Sequence, residues 1–314
     1  MSAPGDKITY TFDVINEGDL PAEVETTLTT MKSCTAEDGS DVSIFCNKIG
    51  LDLVYAETKE KSNTTITPEK KIICKRATIL HTDGIHTFGN LGTSGTLTSG
   101  DAFDCDVNGD GVYDSNTERF YYVSDYYNTS TKSFESDISV LIYYNNVNAG
   151  NPDNSKLYAY DSSGENFHGP RTAIKELPTT SQWSNISLKN TTRSILNESG
   201  SGTTTGGTLP NDFSYVEYAA RFLTVQETNI ACKTNGVWDN GKLNSCIYML
   251  ENTSYESNNI VNSGYWLENA LSSDAGGVWT IYSANVYIDN YYASYTGDFG
   301  VRPAIEVSKA NMEY

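Results

Sequence analysis

From Gly264 to Val307 the chain reads as three aromatic and β-branched blocks, GYWLENA, GGVWTIYSANVYIDNYY and GVRPAIEV, separated by Gly, Ser and Asp. Such side chains favour a pleated, packed backbone, and the small polar residues between them mark turns, so this stretch is predicted to be strands joined by turns. Composition agrees. The 22 Tyr against 4 Met, with 38% hydrophobic and 19% charged residues, describe a globular, mostly β chain suited to recognition surfaces.

A chain of 314 residues is long enough for an ordinary domain and a small one. Ile8, Tyr10, Phe12 and Val14 alternate with polar neighbours as in a half-buried strand, Glu17, Gly18 and Asp19 supply a turn, and a second strand is predicted from Ala22 to Thr30. The segment 57–70, TKEKSNTTITPEKK, has little to bury and reads as a linker, dividing the chain into domains at 1–66 and 67–314. Beyond it, RFYYVSD and SVLIYYNNV read as strands. LPTTSQWSNISLKNTTRSILN, at 177–197, reads as a helix or helix pair, SGSGTTTGGT as a flexible loop and YAARFL as a short strand. Thr224 with Glu227 three residues on forms a capping box for a helix ending near Cys232.

A formal net charge of -19 repels phosphate backbones and anionic lipid heads, which excludes nucleic acid as a partner. The acidity suits a secreted chain kept soluble, with calcium as a second use. No apolar run is long enough to span a bilayer, so no membrane insertion is expected, and no signal peptide follows Met1; a leader or anchor would have been removed or would lie upstream. Six cysteines fall as local pairs, Cys34 with Cys46, Cys74 with Cys105 and Cys232 with Cys246, without a CxxC box. Six cysteines allow 15 pairings; nearest-neighbour disulfides in an oxidising exterior are expected, the alternative being buried thiols in a cytosolic protein.

The sharpest chemical motif is DVNGDGVYD at 106–114. Calcium loops place oxygens at alternate positions around a glycine, and here Asp106, Asn108, Asp110, the carbonyl of Val112 and Asp114 occupy them, with Gly111 at the turn. Thr117 stands where a bidentate Glu is usual, and Glu118 follows one residue late. The expectation is a structural Ca²⁺, with an empty Asp/Asn/Gly turn as its alternative. His81, His86 and His168 are scattered without HExxH or a GxSxG elbow, and are read as ordinary surface or core residues. Acid pairs such as Asp101 with Asp104, or Glu251 with Glu256, are what a chain with 40 acidic residues generates by chance. Arg302 beside Pro303 is read as a structural arginine in an ion pair.

Two resemblances rest on these segments. APGDKITYTFDVINEGDLPAEV, with Cys34, Cys46 and LDLVYAE, resembles the β-sandwich opening of bacterial fibre and spore-coat proteins of the TasA and camelysin type. LPTTSQWSN, YAARFLT followed by QE, GYWLE, VW and GVRPAIEV, over about 72–310, look like bacterial C-type-lectin-like domains, including retroelement-diversified variable proteins and relatives of the formylglycine-generating enzyme. The second resemblance implies an α+β fold with two helices and twisted sheets, preceded by the small all-β sandwich. It also implies a ligand face built from the last strands and their loops. The EPN, QPD and WND sugar motifs of animal lectins and the C-terminal cysteines of the formylglycine enzymes are missing.

Between Tyr282 and Thr296 every residue is Tyr, Ser, Ala, Asn, Val, Ile, Asp or Thr, the palette of a diversified segment and also of a plain binding surface. The expected ligand contacts are Tyr282, Asn285, Tyr287, Asp289, Asn290, Tyr291, Tyr292, Ser294 and Tyr295, with strand alternation pointing Tyr282, Tyr287, Asp289, Tyr291 and Tyr295 outward. The expected function is therefore that of a secreted or cell-surface bacterial binding protein recognising a protein or glycan without turnover. The alternatives are a pilin-like or matrix-fibre subunit and an enzyme of the formylglycine or glycosidase type.

Overall fold

The structure, a computed structural model, describes residues 22–25, 63–66, 72–152, 156–198, 204–232, 243–253, 264–282 and 287–314. The chain divides into two compact units, Met1–Lys71 and Ile72–Tyr314. In the first, Ala22–Glu25 (β1) pairs antiparallel with Asn63–Ile66 (β2). The stretch expected to be a linker therefore contributes a strand to the first unit. The alternating segment 7–16 and the pair Cys34 and Cys46 lie outside the described residues.

The second unit begins with Cys74–Arg76 (β3), the small hairpin of His81–Thr82 (β4) and Thr87–Phe88 (β5), Ala102–Cys105 (β6), Arg119–Asn128 (β7) and Ser133–Tyr143 (β8). Thr192–Glu198 (β9), Thr204–Ser214 (β10) and the helix Val225–Cys232 (α1) follow, then Gly264–Leu271 (β11), Gly277–Tyr282 (β12), Tyr287–Tyr292 (β13), Phe299–Gly300 (β14), Ala304–Ser308 (β15) and Met312–Glu313 (β16). One six-stranded sheet runs in the order β15-β8-β7-β6-β3-β16. The other runs β10-β9-β11-β12-β13, with β14 alongside β11. Strands account for 38% and helices for 12%, and α1 is the one α-helix among the described residues. The α+β expectation is thereby corrected to a mostly β fold.

The physical reason lies in 177–197. Thr179 and Gln182 exchange side-chain bonds with each other's backbone amides, at 2.9 and 3.3 Å, as a capping box does, and Trp183 N–H reaches Thr179 O at 3.0 Å, but the turn goes no further because the Asn185 amide donates to Val107 O at 3.0 Å in a separate loop. Trp183, Ile186 and Leu188 then enter the core from irregular backbone, and the β-branched end of the segment becomes β9. The loop expected after it is partly strand β10. YAARFL is an extended crossing held by two isolated bridges, Thr179 with Tyr218 and Arg221 with Ala304, and not a strand.

Two cores explain the long apolar runs. In β7 and β8, Phe120, Tyr122, Leu141 and Tyr143 enter one, while Tyr121, Val123, Val140 and Ile142 enter the other. Along β11 and β12, Trp266 and Val278 face the first core and Tyr265, Leu267, Trp279 and Ile281 the second. Strands buried on both faces need apolar residues at every position, so RFYYV and GYWL lose the half-buried alternation of an exposed sheet. Cys74 stands opposite Cys105 across β3 and β6 and is bonded to it, and the Cys232–Cys246 disulfide ties the end of α1 to the 3₁₀ segment Leu243–Leu250.

The capping box forms as expected: Glu227 N–H donates to Thr224 Oγ1 at 3.2 Å and Thr224 N–H to Glu227 Oε2 at 3.0 Å. The same carboxylate receives both terminal nitrogens of buried Arg221, at 2.7 and 2.9 Å, while Arg221 Nε donates to Glu306 at 2.5 Å. Beside this pair, Arg193 Nε donates to Glu268 at 2.8 Å and Tyr215 Oη to the same carboxylate at 3.2 Å. Burial, the largest single influence, raises the Glu227 carboxyl, but the Arg221 charge and hydrogen bonds, the Thr224 amide and the Arg193 charge together outweigh it and hold it below its ordinary value. Removing Glu227 alone leaves Arg221 short of a counter-charge in the interior. Glu227→Ala is expected to lower unfolding stability by about 3–5 kcal/mol in urea titration; a loss under about 1 kcal/mol would show that the network carries no weight.

Candidate functional site

The C-terminal strands do converge with the Tyr-rich segment, but the aromatic rings are arranged around Phe299. Its ring centroid lies 4.8 Å from Trp266, 5.3 Å from Tyr291, 5.8 Å from Tyr282 and 6.2 Å from Tyr295. Tyr282, Tyr291 and Tyr295 are consequently half-buried against the first core. Tyr295 also stacks 4.4 Å from Tyr291 and donates its hydroxyl to Asp298 at 3.1 Å; burial and that bond push it up to about 12. Of the expected contacts whose side chains are described, Tyr292, at 66% exposure, and Ser294 are exposed. Asp289 and Asn290 are half-buried. Asn285 lies outside the described residues, as does the side chain of Tyr287, whose backbone pairs with Tyr282.

Alternation misassigned Tyr292 because both faces of this sheet are covered. Ile288, of the same parity as Tyr292, is buried in the second core, whereas Tyr292 stands at the strand end opposite Gly277, past that cover. β13 is the outermost strand of its sheet among the described residues. Ala293 N–H bonds to Gly276 O at 2.7 Å, so the amide of Asn290 points to the sheet margin, where it donates to Asp289 Oδ1 at 2.8 Å.

A loop that sequence reasoning did not connect with this region completes it. Asp161 N–H donates to Ala293 O at 3.1 Å, and Asn166 N–H to Ala275 O at 2.8 Å. The Asn166 amide, 2% exposed, donates to the carbonyls of Gly277, Asp274 and Leu271 at 2.6, 2.7 and 3.2 Å. One side chain thus ties 161–168 to the β11–β12 turn. A Cβ placed on Gly276 would meet Gly164 O at 3.3 Å and the Tyr292 ring at 3.8 Å, which shows how closely the three segments meet. On this loop His168 Nδ1 faces Asp161 Oδ2 at 3.0 Å and its Nε2 faces Glu165 at 3.5 Å. Ser163 Oγ donates to Asp161 at 2.8 Å and lies 3.5 Å from the same His168 Nδ1, so Ser and His share one carboxylate and do not form a relay. Burial works against the Asp161 charge, yet the Ser163 amide and hydroxyl and His168 bring its carboxyl below the ordinary value.

In the loop 106–118 the side chains bond to their own backbone. Asp106 accepts from Gly109 and Gly111 at 2.8 and 3.1 Å, Asn108 from Asp110 at 2.9 Å, Asp110 from Val112 at 2.8 Å, and Asp114 from Asn116 at 2.8 Å. Glu118 reaches back to the amides of Asp114 and Val107, at 3.1 and 3.3 Å. Burial pushes Glu118 up to about 7; those two amides oppose the rise, and Asp110 and Asp106 add to it. Val112 is exposed, and Ser184 and Asn185 brace the loop by donating to the carbonyls of Asn108 and Asp106. Among the described residues no three His, Cys, Asp or Glu side chains are gathered about one point as a metal centre.

The remaining polar candidates are committed to structure. Asp101 pairs with Arg76 at 3.4 Å and Asp104 with Arg119 at 2.8 Å. Glu251 binds His81 Nδ1 and the Tyr121 hydroxyl, both at 2.6 Å, while Glu256 lies outside the described residues. His86 pairs with Asp83 at 3.0 Å. Arg302 was expected in an ion pair; it donates instead to four carbonyls, those of Tyr143, Met249, Glu251 and Tyr248, at 2.6 to 3.3 Å, and lies 5.2 Å over the Tyr265 ring. It thereby satisfies the free carbonyls at the end of the 3₁₀ segment.

No protein-family model matches this chain, and no curated protein and no solved structure matches it significantly. No helix among the described residues is long and apolar enough to cross a membrane.

Because Asn166 satisfies three carbonyls from the interior, Asn166→Ala should cost about 2–4 kcal/mol and expose those carbonyls to water. Amide exchange should quicken in 161–166 and 274–277 ahead of the strands of the other sheet. Unchanged exchange there would mean that the loop is held by something else.

Proposed function

We propose that this chain is a secreted or cell-surface recognition protein that binds a protein or glycan, without turnover, at the end of β13 and the turn that follows it. The observation carrying this reading is the exposure of Tyr292 next to rings that are themselves packed on Phe299. Tyrosine offers a broad amphipathic contact with few torsions to freeze, and a packed surround reduces the ordering cost of binding. Ser294 and the hydroxyls and carboxylates of 161–168 supply hydrogen bonds around it. Two disulfides and the strong negative charge support an oxidising exterior as the place of action.

The loop 106–118 takes one structural Ca²⁺ in this reading, through Asp106, Asn108, Asp110, the Val112 carbonyl and Asp114. What supports it is the alternate spacing of oxygen ligands around Gly111, with a positive φ of 80°, in a segment braced from outside by Ser184 and Asn185. Such an ion would stiffen the loop and carry out no chemistry.

Screening the chain and Tyr292→Ala in parallel against a glycan array and a displayed library of secreted proteins tests the first part. The variant should lose roughly tenfold in affinity, about 1–2 kcal/mol, for any ligand found; full retention of binding by Tyr292→Ala would remove the face from consideration. For the loop, added Ca²⁺ should raise the melting temperature and chelator should reverse it, with a gain of about 2.7 kcal/mol at a hundredfold excess over Kd. The response should vanish in Asp106→Ala with Asp110→Ala. Identical melting curves with and without chelator would discard the ion.

A further inference from the structure

The three segments that meet around Tyr292 contain no lysine and no arginine. Residues 161–168, 272–277 and 287–298 hold Asp161, Glu165, Asp274, Asp289 and Asp298, and the nearest basic residues in sequence to the first segment, Lys156 and Arg171, fall outside it. Each of these acids has a partner within the protein. Asp161 is buried with Ser163 and His168, Asp289 accepts the Asn290 amide, and Asp298 accepts the Tyr295 hydroxyl. Glu165, its side chain 47% exposed, pairs one oxygen with His168 at 3.5 Å, and Asp274, also exposed, accepts the Gly276 amide through Oδ1 at 2.8 Å; the second oxygen of each carboxylate keeps acceptor capacity facing water.

The backbone ties described above place these two carboxylates on the segments that flank the one open ring. A carboxylate can only accept, so whatever binds here has to donate. An anionic ligand is repelled both locally and by the net charge of -19. A neutral sugar would gain hydrogen bonds alone. A cation gains hydrogen bonds, charge attraction and the face of Tyr292, on which an ammonium or guanidinium and its apolar stem both pack.

We propose that the surface of Tyr292, Glu165 and Asp274 docks a lysine- or arginine-bearing segment of a partner protein. This rests on the binding role proposed above and narrows its ligand to a basic peptide. Charge complementarity also sets the kinetics: long-range attraction speeds encounter, so binding should weaken steeply as salt is raised.

The test uses the full chain and fluorescence anisotropy with labelled ten-residue probes: a lysine-rich peptide, a glutamate-rich peptide and a neutral glucan oligosaccharide. Two double variants carry the same charge change, Glu165→Lys with Asp274→Lys on the face, and Asp137→Lys with Glu217→Lys at exposed positions outside the three segments. The lysine peptide should bind and the glutamate peptide should not. Affinity should fall about tenfold or more in the face variant and in Tyr292→Ala, and less than about twofold in the outside variant. Equal losses in the two double variants would reduce the effect to bulk charge and overturn the inference, as would failure of the lysine peptide to bind. Tyr292-dependent binding of the glucan without the lysine peptide would overturn it while leaving the recognition role intact. Tyr292→Ala without effect on either probe would sink both.

Discussion

Arg221 and the carboxylates around it are the constraint on which the larger unit is built. A guanidinium taken fully out of water is expensive, and its interior is tolerable only because Glu227 and Glu306 approach it from opposite elements and the backbone fills the remaining lone pairs. Glu227 comes from the first turn of α1 and Glu306 from β15, while the neighbouring pair joins Arg193 of β9 to Glu268 of β11. Four elements from two sheets and one helix are therefore positioned by directional bonds, where apolar packing alone would accept small slips in register. Glu268 illustrates the tension: burial lifts its carboxyl above the ordinary value even though Arg193 and Arg221 pull it down.

Much of the local structure could be read from the chain. The terminal aromatic blocks became β11 to β15, RFYYV and SVLIYY became β7 and β8, and Thr224 with Glu227 opened a helix that ends at Cys232. These signals are local: side-chain branching, turn residues and a three-residue cap. The capping box could not reveal that Glu227 also neutralises Arg221, because that pairing depends on the crossing segment folding back beside the helix. The helix expected over 177–197 failed for the complementary reason, since its buried Trp183, Ile186 and Leu188 are apolar enough for a helical face but the backbone leaves the first turn when the Asn185 amide bonds to Val107 in a distant loop.

The recognition region was only partly legible. Tyr-rich composition pointed to β13, yet a period-2 reading cannot tell which parity faces water when both sides of a sheet are covered, and so Tyr292 did not stand out. Asn166 left no trace at all: its three acceptors lie 105, 108 and 111 residues away, and nothing in NFHGP distinguishes that amide from an ordinary turn residue. In the acidic loop the reverse holds. Spacing announced the oxygens clearly, and the fold added the outside brace from Ser184 and Asn185 that no spacing rule contains.

The bond from the Asn290 amide to Asp289 has a consequence for how copies of this molecule meet. An outermost strand ordinarily offers its spare amides to any extended chain that drifts alongside, which is how sheets grow into fibrils. Here the central such amide is already engaged by an acidic side chain of its own strand, and an incoming backbone would have to break that bond to replace it. The margin nearest the aromatic surface is thus discouraged from lateral growth, leaving side-chain contact, and not sheet extension, as the mode of encounter there.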